Sequence, residues 1–351
     1  MSALVYRGVN DLRVETVPVP SIKPDEILVK VAVCGVCPTD IKKIQYGTVT
    51  PPRIFGHETA GTIARIGARV KDFQVGERVG LHHHVPCQRC HVCRHGAFAQ
   101  CETYKRTGIT AGFEPAGGGY AEYVRVMPFV FPGIVRIPAK NTFIEGAMLE
   151  PVNTGLKAIK RLNIIRNDFV LVAGQGPIGL IFTRLLTLRG INVIATDLLP
   201  SRLEMAKTFG AVATFMADDV FLCEKIKRLT RTRLLDAAII AVPSDDAVHQ
   251  VRRLIRGGGQ MLVFAHTLRG GEFPLDLSSV CVDEKDLLGS YSSDITIQAE
   301  VAKLIFSRRL DVRSLITEQF PLKSAAEAIR LVSRPSPESL KIVVSNVSQK
   351  Q

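Results

Sequence analysis

Four stretches of this chain carry side chains able to hold a metal or move a proton. In CGVCPTD, Cys34 and Cys37 are followed at once by Thr39 and Asp40. In CQRCHVCRHGAFAQC, Cys87, Cys90, Cys93 and Cys101 follow a C-x2-C-x2-C-x7-C spacing. In FGHETAG, His57 and Glu58 stand between glycines, and Glu150 lies in AMLEPVNTG. Four thiolates so close in sequence suit one tetrahedral zinc with no open position, although iron–sulfur clusters use related spacings. Cys37, His57 and an acid would give three protein ligands and one open position, the form of a catalytic zinc, if the fold brings them together. Cys34 and Cys37 read either as a redox dithiol or as one ligand beside a buried thiol. No compact thioredoxin-like unit surrounds them to favour the dithiol.

Five of the eight histidines fall between His82 and His95. His82–His84 continue a strand after GERVGL, with one of them a candidate to face a cleft, and His91 and His95 read as surface residues of the cysteine lobe. Cys223 and Cys281 stand apart and read as core filler.

A different chemistry is written in VLVAGQGPIG, where Gly174, Gly176 and Gly179 form G-x-G-x-x-G between a buried strand and a helix. The first glycine permits a tight turn, the second lets backbone approach a pyrophosphate, and the third lets helix and sheet pack closely. Pro177 and Ile178 open the helix, whose free N–H groups and dipole favour phosphate. Asp197, at the end of the next strand, is spaced to meet the adenosine ribose hydroxyls and to repel a 2′-phosphate, which favours NAD over NADP. Arg202 close by argues mildly the other way.

The elements that must position these groups follow from periodicity. The first 150 residues hold short alternating runs such as EILVKVAV and GTIARIG, which read as strands separated by turns. From Asp168 the texture becomes strand–helix–strand: DFVLVAG, then PIGLIFTRLLTLRG, INVIATD and SRLEMAKTFG, the last begun by a Ser cap. LLDAAIIAV, DDAVHQVRRLIRGGG and QMLVFA continue it, which predicts a parallel sheet covered by helices. A helix near Thr296–Arg308 and a closing strand LKIVV follow.

At 351 residues, with 46% hydrophobic and 22% charged residues, the chain is expected to fold as a globular protein of two domains. No apolar run reaches the ~18 residues of a membrane span, and the N-terminus lacks an apolar secretory core, so a cytoplasmic location is expected. A net charge of +12 suits phosphate-bearing cofactors. The most basic stretch, EKIKRLTRTRLLD, is interrupted by Leu and Ile at helical spacing and lacks aromatics, so it reads as a solvated helix face rather than a nucleic-acid site.

Taken in order, Cys-x-x-Cys-x-Thr-Asp, Gly56-His57-Glu58, FQVGERV, the four-cysteine lobe, GGGYAEYV, Glu150-Pro151 and the glycine loop resemble the zinc-dependent medium-chain dehydrogenases along essentially the whole chain. The resemblance implies an α/β protein with a GroES-like β-rich catalytic domain built from both chain ends, 1–151 and 289–351. It carries a zinc lobe at about 82–105, and a Rossmann doubly wound parallel-sheet domain is inserted at 152–288. It implies two zinc ions: a catalytic one on Cys37, His57 and an acid, and a structural one on Cys87, Cys90, Cys93 and Cys101. Glutamate at 150 resembles the sorbitol and threonine dehydrogenase branch, in which Glu58 and Glu150 can each approach the metal. The implied reaction transfers hydride between NAD and a secondary alcohol or polyol, or its ketone, in a homodimer or homotetramer without membrane or nucleic-acid partners. Two rivals stand beside it: a quinone or enone reductase of the same superfamily, and a non-enzymatic zinc- and nucleotide-binding module.

Two positions depart from the family pattern. Pro38 brings no side-chain donor to the cofactor pyrophosphate, and Lys42 stands where many relatives have a relay histidine. The proton is therefore expected to leave through Thr39, with Lys42 or water beyond it. The competing reading makes Thr39 only the cap of a helix starting near Asp40.

Overall fold

The strand Ile27–Gly35 (ILVKVAVCG) is buried at every position but one, which marks it as the centre of a sheet rather than an edge. In the computed structural model, which describes residues 1–107, 117–266, 270–334 and 336–346, it lies in a seven-stranded sheet. The order is Ile316–Pro321, Lys341–Ser345, Ile27–Gly35, Glu58–Ile66, Arg78–His82 and Ile134–Arg136, with Tyr123–Val126 also paired to the central strand. Lys341–Ser345 runs antiparallel to Ile27–Gly35, with Val344 opposite Cys34, so residues near the two ends of the chain complete one sheet. Ile27, Val29, Ile63, Val79, Leu81 and Val124 fill one core and Val36, Ile41, Phe55, Tyr120 and Ile342 another. Each such buried side chain contributes roughly 1.5–3 kcal/mol.

The register of this sheet sets up the site. Gly35 pairs with Glu58, and Glu58 pairs with His82. Three neighbouring strands thus bring the approach to Cys37, the His57–Glu58 dipeptide and the start of the triple histidine to one row.

Contacts divide the chain into two compact units, Met1–Asn153 with Ser292–Gln351, and Thr154–Tyr291. The second holds six parallel strands in the order Ala213–Met216, Asn192–Asp197, Phe169–Ala173, Leu235–Ile240, Ile255–Val263, Asp286–Gly289. Counted along the chain from Phe169–Ala173 this is 3-2-1-4-5-6, the doubly wound order in which ligands bind where the sequence of strands reverses. The expected α/β class, GroES-like sheet plus Rossmann sheet, is the observed one. Among the described residues, no helix is long and apolar enough to cross a membrane.

Several local expectations are corrected. The helix Pro200–Thr208 has Leu199 in the cap position with no side-chain cap, and Ser201 lies inside its first turn. Asp197 Oδ1 accepts the Leu199 N–H at 2.9 Å instead. The strand Arg78–His82 ends at its first histidine, so His83 and His84 do not continue it. Cys223 packs half-buried against the core, but Cys281 is exposed and fills nothing. Of the basic stretch 224–236, only 224–229 are helical, within Leu222–Leu229, which buries Leu222 and Ile226 and leaves Lys225, Lys227 and Arg228 outside, while Arg231 and Arg233 lie in the connection before the strand Leu235–Ile240.

Candidate active site

Cys37 occupies the cap position of the helix Pro38–Tyr46, immediately after the central strand, and Pro38 takes the first helical position, where its missing N–H costs nothing. The ligating atoms of Cys37, His57 and Glu58 all lie within 4.8 Å of one another. His57 turns Nδ1 to Asp40 Oδ1 at 3.1 Å, which leaves Nε2 for a metal. Asp40 is wholly buried, and its other oxygen accepts the Tyr120 hydroxyl at 3.3 Å. Burial works against a charged His57, yet Asp40 and Cys37 outweigh it and lift its pKa well above the ordinary value. Burial likewise opposes ionisation of Asp40, and the His57 charge overcomes it and lowers that pKa. A cation at His57 Nε2 would supply the positive charge that the buried Asp40 and Cys37 attract to this ring.

Glu58 Oε1 accepts from the Lys341 ammonium at 2.7 Å, and Lys341 also donates to the Val36 carbonyl at 2.9 Å. Lys341 is buried, which disfavours its charge, but Glu58 and then Cys37 reverse the effect and raise its pKa. Glu150, buried in the first turn of the helix Leu149–Ile159, is outside the 4.8 Å set. Its Oε1 lies 3.3 Å from His84 Nδ1.

Thr39 is the second residue of its helix, and its hydroxyl lies 3.1 Å from Cys37 Sγ. The cap position belongs to Cys37 and carries no side-chain cap bond, so the capping role for Thr39 is removed. Burial lowers the Lys42 pKa while Cys37 pulls it up. Cys34 is fully buried beside Thr59, and burial pushes its thiol up to about 12. It is a packing residue and not half of a redox pair.

All three histidines of the HHH run are buried near this site. The His83 ring centroid is 5.2 Å from that of His57, and His84 lies 3.9 Å from His83 and 4.9 Å from Tyr104. Burial drives His82 down to about 3 and holds His83 and His84 well below the ordinary value, so all three are neutral at pH 7. Ser293 Oγ lies 2.9 Å from His82 Nε2 and 2.6 Å from His84 Nδ1, and Ser292 Oγ is 3.2 Å from the Tyr104 hydroxyl.

The four-cysteine lobe is built from the short helices His91–Arg94, Phe98–Gln100 and Glu102–Thr107. Its four ligating sulfurs lie within 4.8 Å of one another, all as free thiols, and the Cys87 amide points at Cys101 Sγ at 3.4 Å. Backbone N–H groups of Arg89 and Cys90 bring the Cys87 thiol down to about 6, whereas burial and the neighbouring Cys90 and Cys101 push Cys93 up to about 12. Four sulfurs this close cannot all ionise without a cation between them. His91 and His95 are exposed, as expected.

In the parallel-sheet unit, Gly174 turns the chain at φ +91°, a conformation that favours glycine, and a Cβ on Gly179 would collide with the Gly174 carbonyl oxygen. Nothing lies within 4 Å of a Cβ built on Gly176, which caps the helix Pro177–Thr187, with Ile178 in its first turn. Asp197 Oδ2 accepts the Gln175 N–H at 2.6 Å, and Arg202 Nη1 lies 3.9 Å from the same oxygen. Each carboxylate oxygen keeps a further lone pair for a ribose hydroxyl.

Residues 23–138 match the family model described as alcohol dehydrogenase GroES-like domain, and residues 177–307 match that of zinc-binding dehydrogenase. The sorbitol dehydrogenase of Bacillus subtilis (strain 168) is 30% identical over 98% of this chain and 97% of its own length. Among solved structures, a zinc-binding dehydrogenase of Sinorhizobium meliloti 1021 bound to NADP superposes with a TM-score of 0.88 at 26% identity, covering 98% of each chain. Galactitol-1-phosphate dehydrogenase of Escherichia coli gives a TM-score of 0.84 at 25% identity over 98% of this chain and 100% of that one.

Proposed function

The chain belongs to the zinc-binding alcohol dehydrogenases, and from that premise we propose that it interconverts vicinal or polyhydroxylated secondary alcohols and their ketones, using NAD in preference to NADP. It is a zinc-dependent alcohol/polyol oxidoreductase that uses a nicotinamide cofactor. The observation that carries the reading is the convergence of Cys37, His57 and Glu58 within 4.8 Å while a separate four-cysteine set closes on itself. We assign the first set, with Glu58 or Glu150 as the acid, to a catalytic zinc and the second to a structural one. When bound, the catalytic zinc eases loss of an alcohol proton by Lewis acidity and the nicotinamide takes the hydride.

This chain's own residues then do the positioning. Asp40 holds His57 through Nδ1, and Lys341 holds Glu58. Thr39, beside the Cys37 sulfur, accepts the substrate proton while handing its own onward to water or a ribose hydroxyl. The glycine loop seats the pyrophosphate and Asp197 the adenosine ribose.

The polyol class is supported by Glu150 and by the sorbitol and galactitol-1-phosphate dehydrogenases among the relatives. NAD preference is supported by the Asp197 charge, which opposes a 2′-phosphate. Arg202 and the NADP-bound relative favour the other cofactor. A reductase of C=C bonds needs no three-ligand set. The test is zinc content per chain together with kcat/KM for sorbitol, xylitol, a vicinal diol and ethanol, each with NAD and NADP. Two zincs, a polyol above ethanol and NAD above NADP are expected. Ethanol as best substrate would remove the polyol reading, and NADP as best cofactor would remove the assignment of Asp197.

A further inference from the structure

Ser293 joins two histidines from the other end of its unit: its hydroxyl lies 2.9 Å from His82 Nε2 and 2.6 Å from His84 Nδ1. Residue exposure is 0% for His82, 8% for His84 and 2% for Ser293, so protein groups supply most of their hydrogen bonding. A hydroxyl has one proton, so it donates to one ring and accepts from the other. His84 Nδ1 also faces Glu150 Oε1 at 3.3 Å, and a carboxylate can only accept. With Glu150 ionised, the proton on His84 sits on Nδ1, directed at Ser293 Oγ at 2.6 Å with Glu150 Oε1 beside it at 3.3 Å. Ser293 must then donate to His82 Nε2, which places the His82 proton on Nδ1. That nitrogen is buried and has no hydrogen-bond partner among the described residues.

We propose that Ser293 is a positioning residue: its single hydroxyl fixes the tautomers of His82 and His84, and so holds an Nδ1–H of His84 against Glu150. Among the described residues the hydrogen-bonded chain runs from Glu150 through His84 and Ser293 to His82. The inference rests on Glu150 belonging to the active site as read above.

The test combines nitrogen-15 histidine spectra, which report the tautomer of each ring, with steady-state kinetics on the zinc-loaded enzyme. In the parent, both His82 and His84 should carry the proton on Nδ1. Ser293→Ala should move the His82 proton to Nε2 and lower kcat about tenfold, the usual scale for an outer-shell partner, with KM and zinc content near parental. Ser293→Thr keeps the hydroxyl and should restore both the tautomers and most of kcat. If Ser293→Ala does not fold, Ser293→Cys keeps the volume with a poor donor and should shift the same two readouts. Unchanged tautomers in the Ala or Cys variant, or a Thr variant with parental tautomers but the kcat of the Ala variant, would overturn the proposal. Glu150→Ala separates the two layers: full turnover there removes Glu150 from the site, while the tautomer shift in Ser293→Ala still reads the hub.

Discussion

The two candidate ligand sets differ in what holds them. Cys87, Cys90, Cys93 and Cys101 belong to one short lobe whose apolar support is a small cluster of Cys93, Cys101 and Tyr104 with Val92 and Phe98 at its edge. Cys37, His57 and Glu58 hang from a seven-stranded sheet with two large cores, and Asp40, Tyr120 and Lys341 hold them from behind. On the proposed assignment, a lobe with so little to bury would need its metal in order to fold, whereas a set braced by a sheet would need its metal only to work. The same ion would thus be a structural element in one place and a reagent in the other.

The sharpest way to break this contrast is to remove one ligand from each set. Cys37→Ala should lose one zinc and at least on the order of 10³-fold in turnover, with an unchanged thermal midpoint. Cys90→Ala should also lose one zinc, but the loss should appear as a lowered midpoint and proteolysis within residues 82–105. Metal analysis giving a single zinc in the parent would end the two-set assignment. So would a Cys37→Ala protein that unfolds as readily as Cys90→Ala.

Thr39 comes next in size. Thr39→Val keeps the shape and removes the hydroxyl, and kcat should fall ~10²-fold with full zinc content, whereas Thr39→Ser should retain activity. A zinc-replete Thr39→Val with near-parental kcat would take the hydroxyl out of the reaction.

Asp197 tests the cofactor side with a smaller expected effect. Because its carboxylate also receives the Gln175 and Leu199 amides, Asp197→Ala would disturb the loop, and Asp197→Asn is the cleaner change. NAD efficiency should fall about tenfold, the scale of one charge-assisted hydrogen bond, and NADP use should improve. A lower kcat/KM with both cofactors alike would mark Asp197 as a loop residue only.

A last comparison separates the sheet from the lobe by acid. His82 is neutral and buried in the fold, with its pKa near 3, while the unfolded chain takes up a proton there below about pH 6.5. The unfolded state then binds more protons, so stability falls as pH falls, by about 1.4 kcal/mol per unit below that point. Because His83 and His84 are depressed in the same way, urea unfolding of zinc-loaded parent and His82→Gln should give a slope shallower in the variant by about this amount, and equal slopes would remove His82 from the effect. His91 and His95 are exposed on the lobe, and replacing them should leave the slope unchanged.

How much of this was legible in the sequence varies by group. The four-cysteine set and the glycine loop were visible because their members sit within a few residues of one another, where spacing nearly dictates geometry. Cys37, His57 and Glu58 could be nominated by type, but nothing local required them to meet. Asp40 lay in a quoted motif with no role attached, since its complete burial and its bond to His57 are not properties of CGVCPTD. Lys341 could be glimpsed only as a cation opening the apolar run LKIVV. The serines at 292 and 293 gave no signal at all.

The sequence by itself determined the alternation of strands and helices, the phosphate-binding turn and the compact cysteine lobe, because propensity, periodicity and short-range spacing act over a few residues. Only the tertiary structure decided that Lys341 neutralises Glu58, that Thr39 touches the Cys37 sulfur without capping its helix, and that Glu150 faces His84 rather than joining the trio. Those outcomes depend on strand register: Gly35 opposite Glu58, Glu58 opposite His82, and Val344 opposite Cys34. Register is set by burying the central strands of the sheet, since a slip of one residue would turn every side chain of a strand to the wrong face.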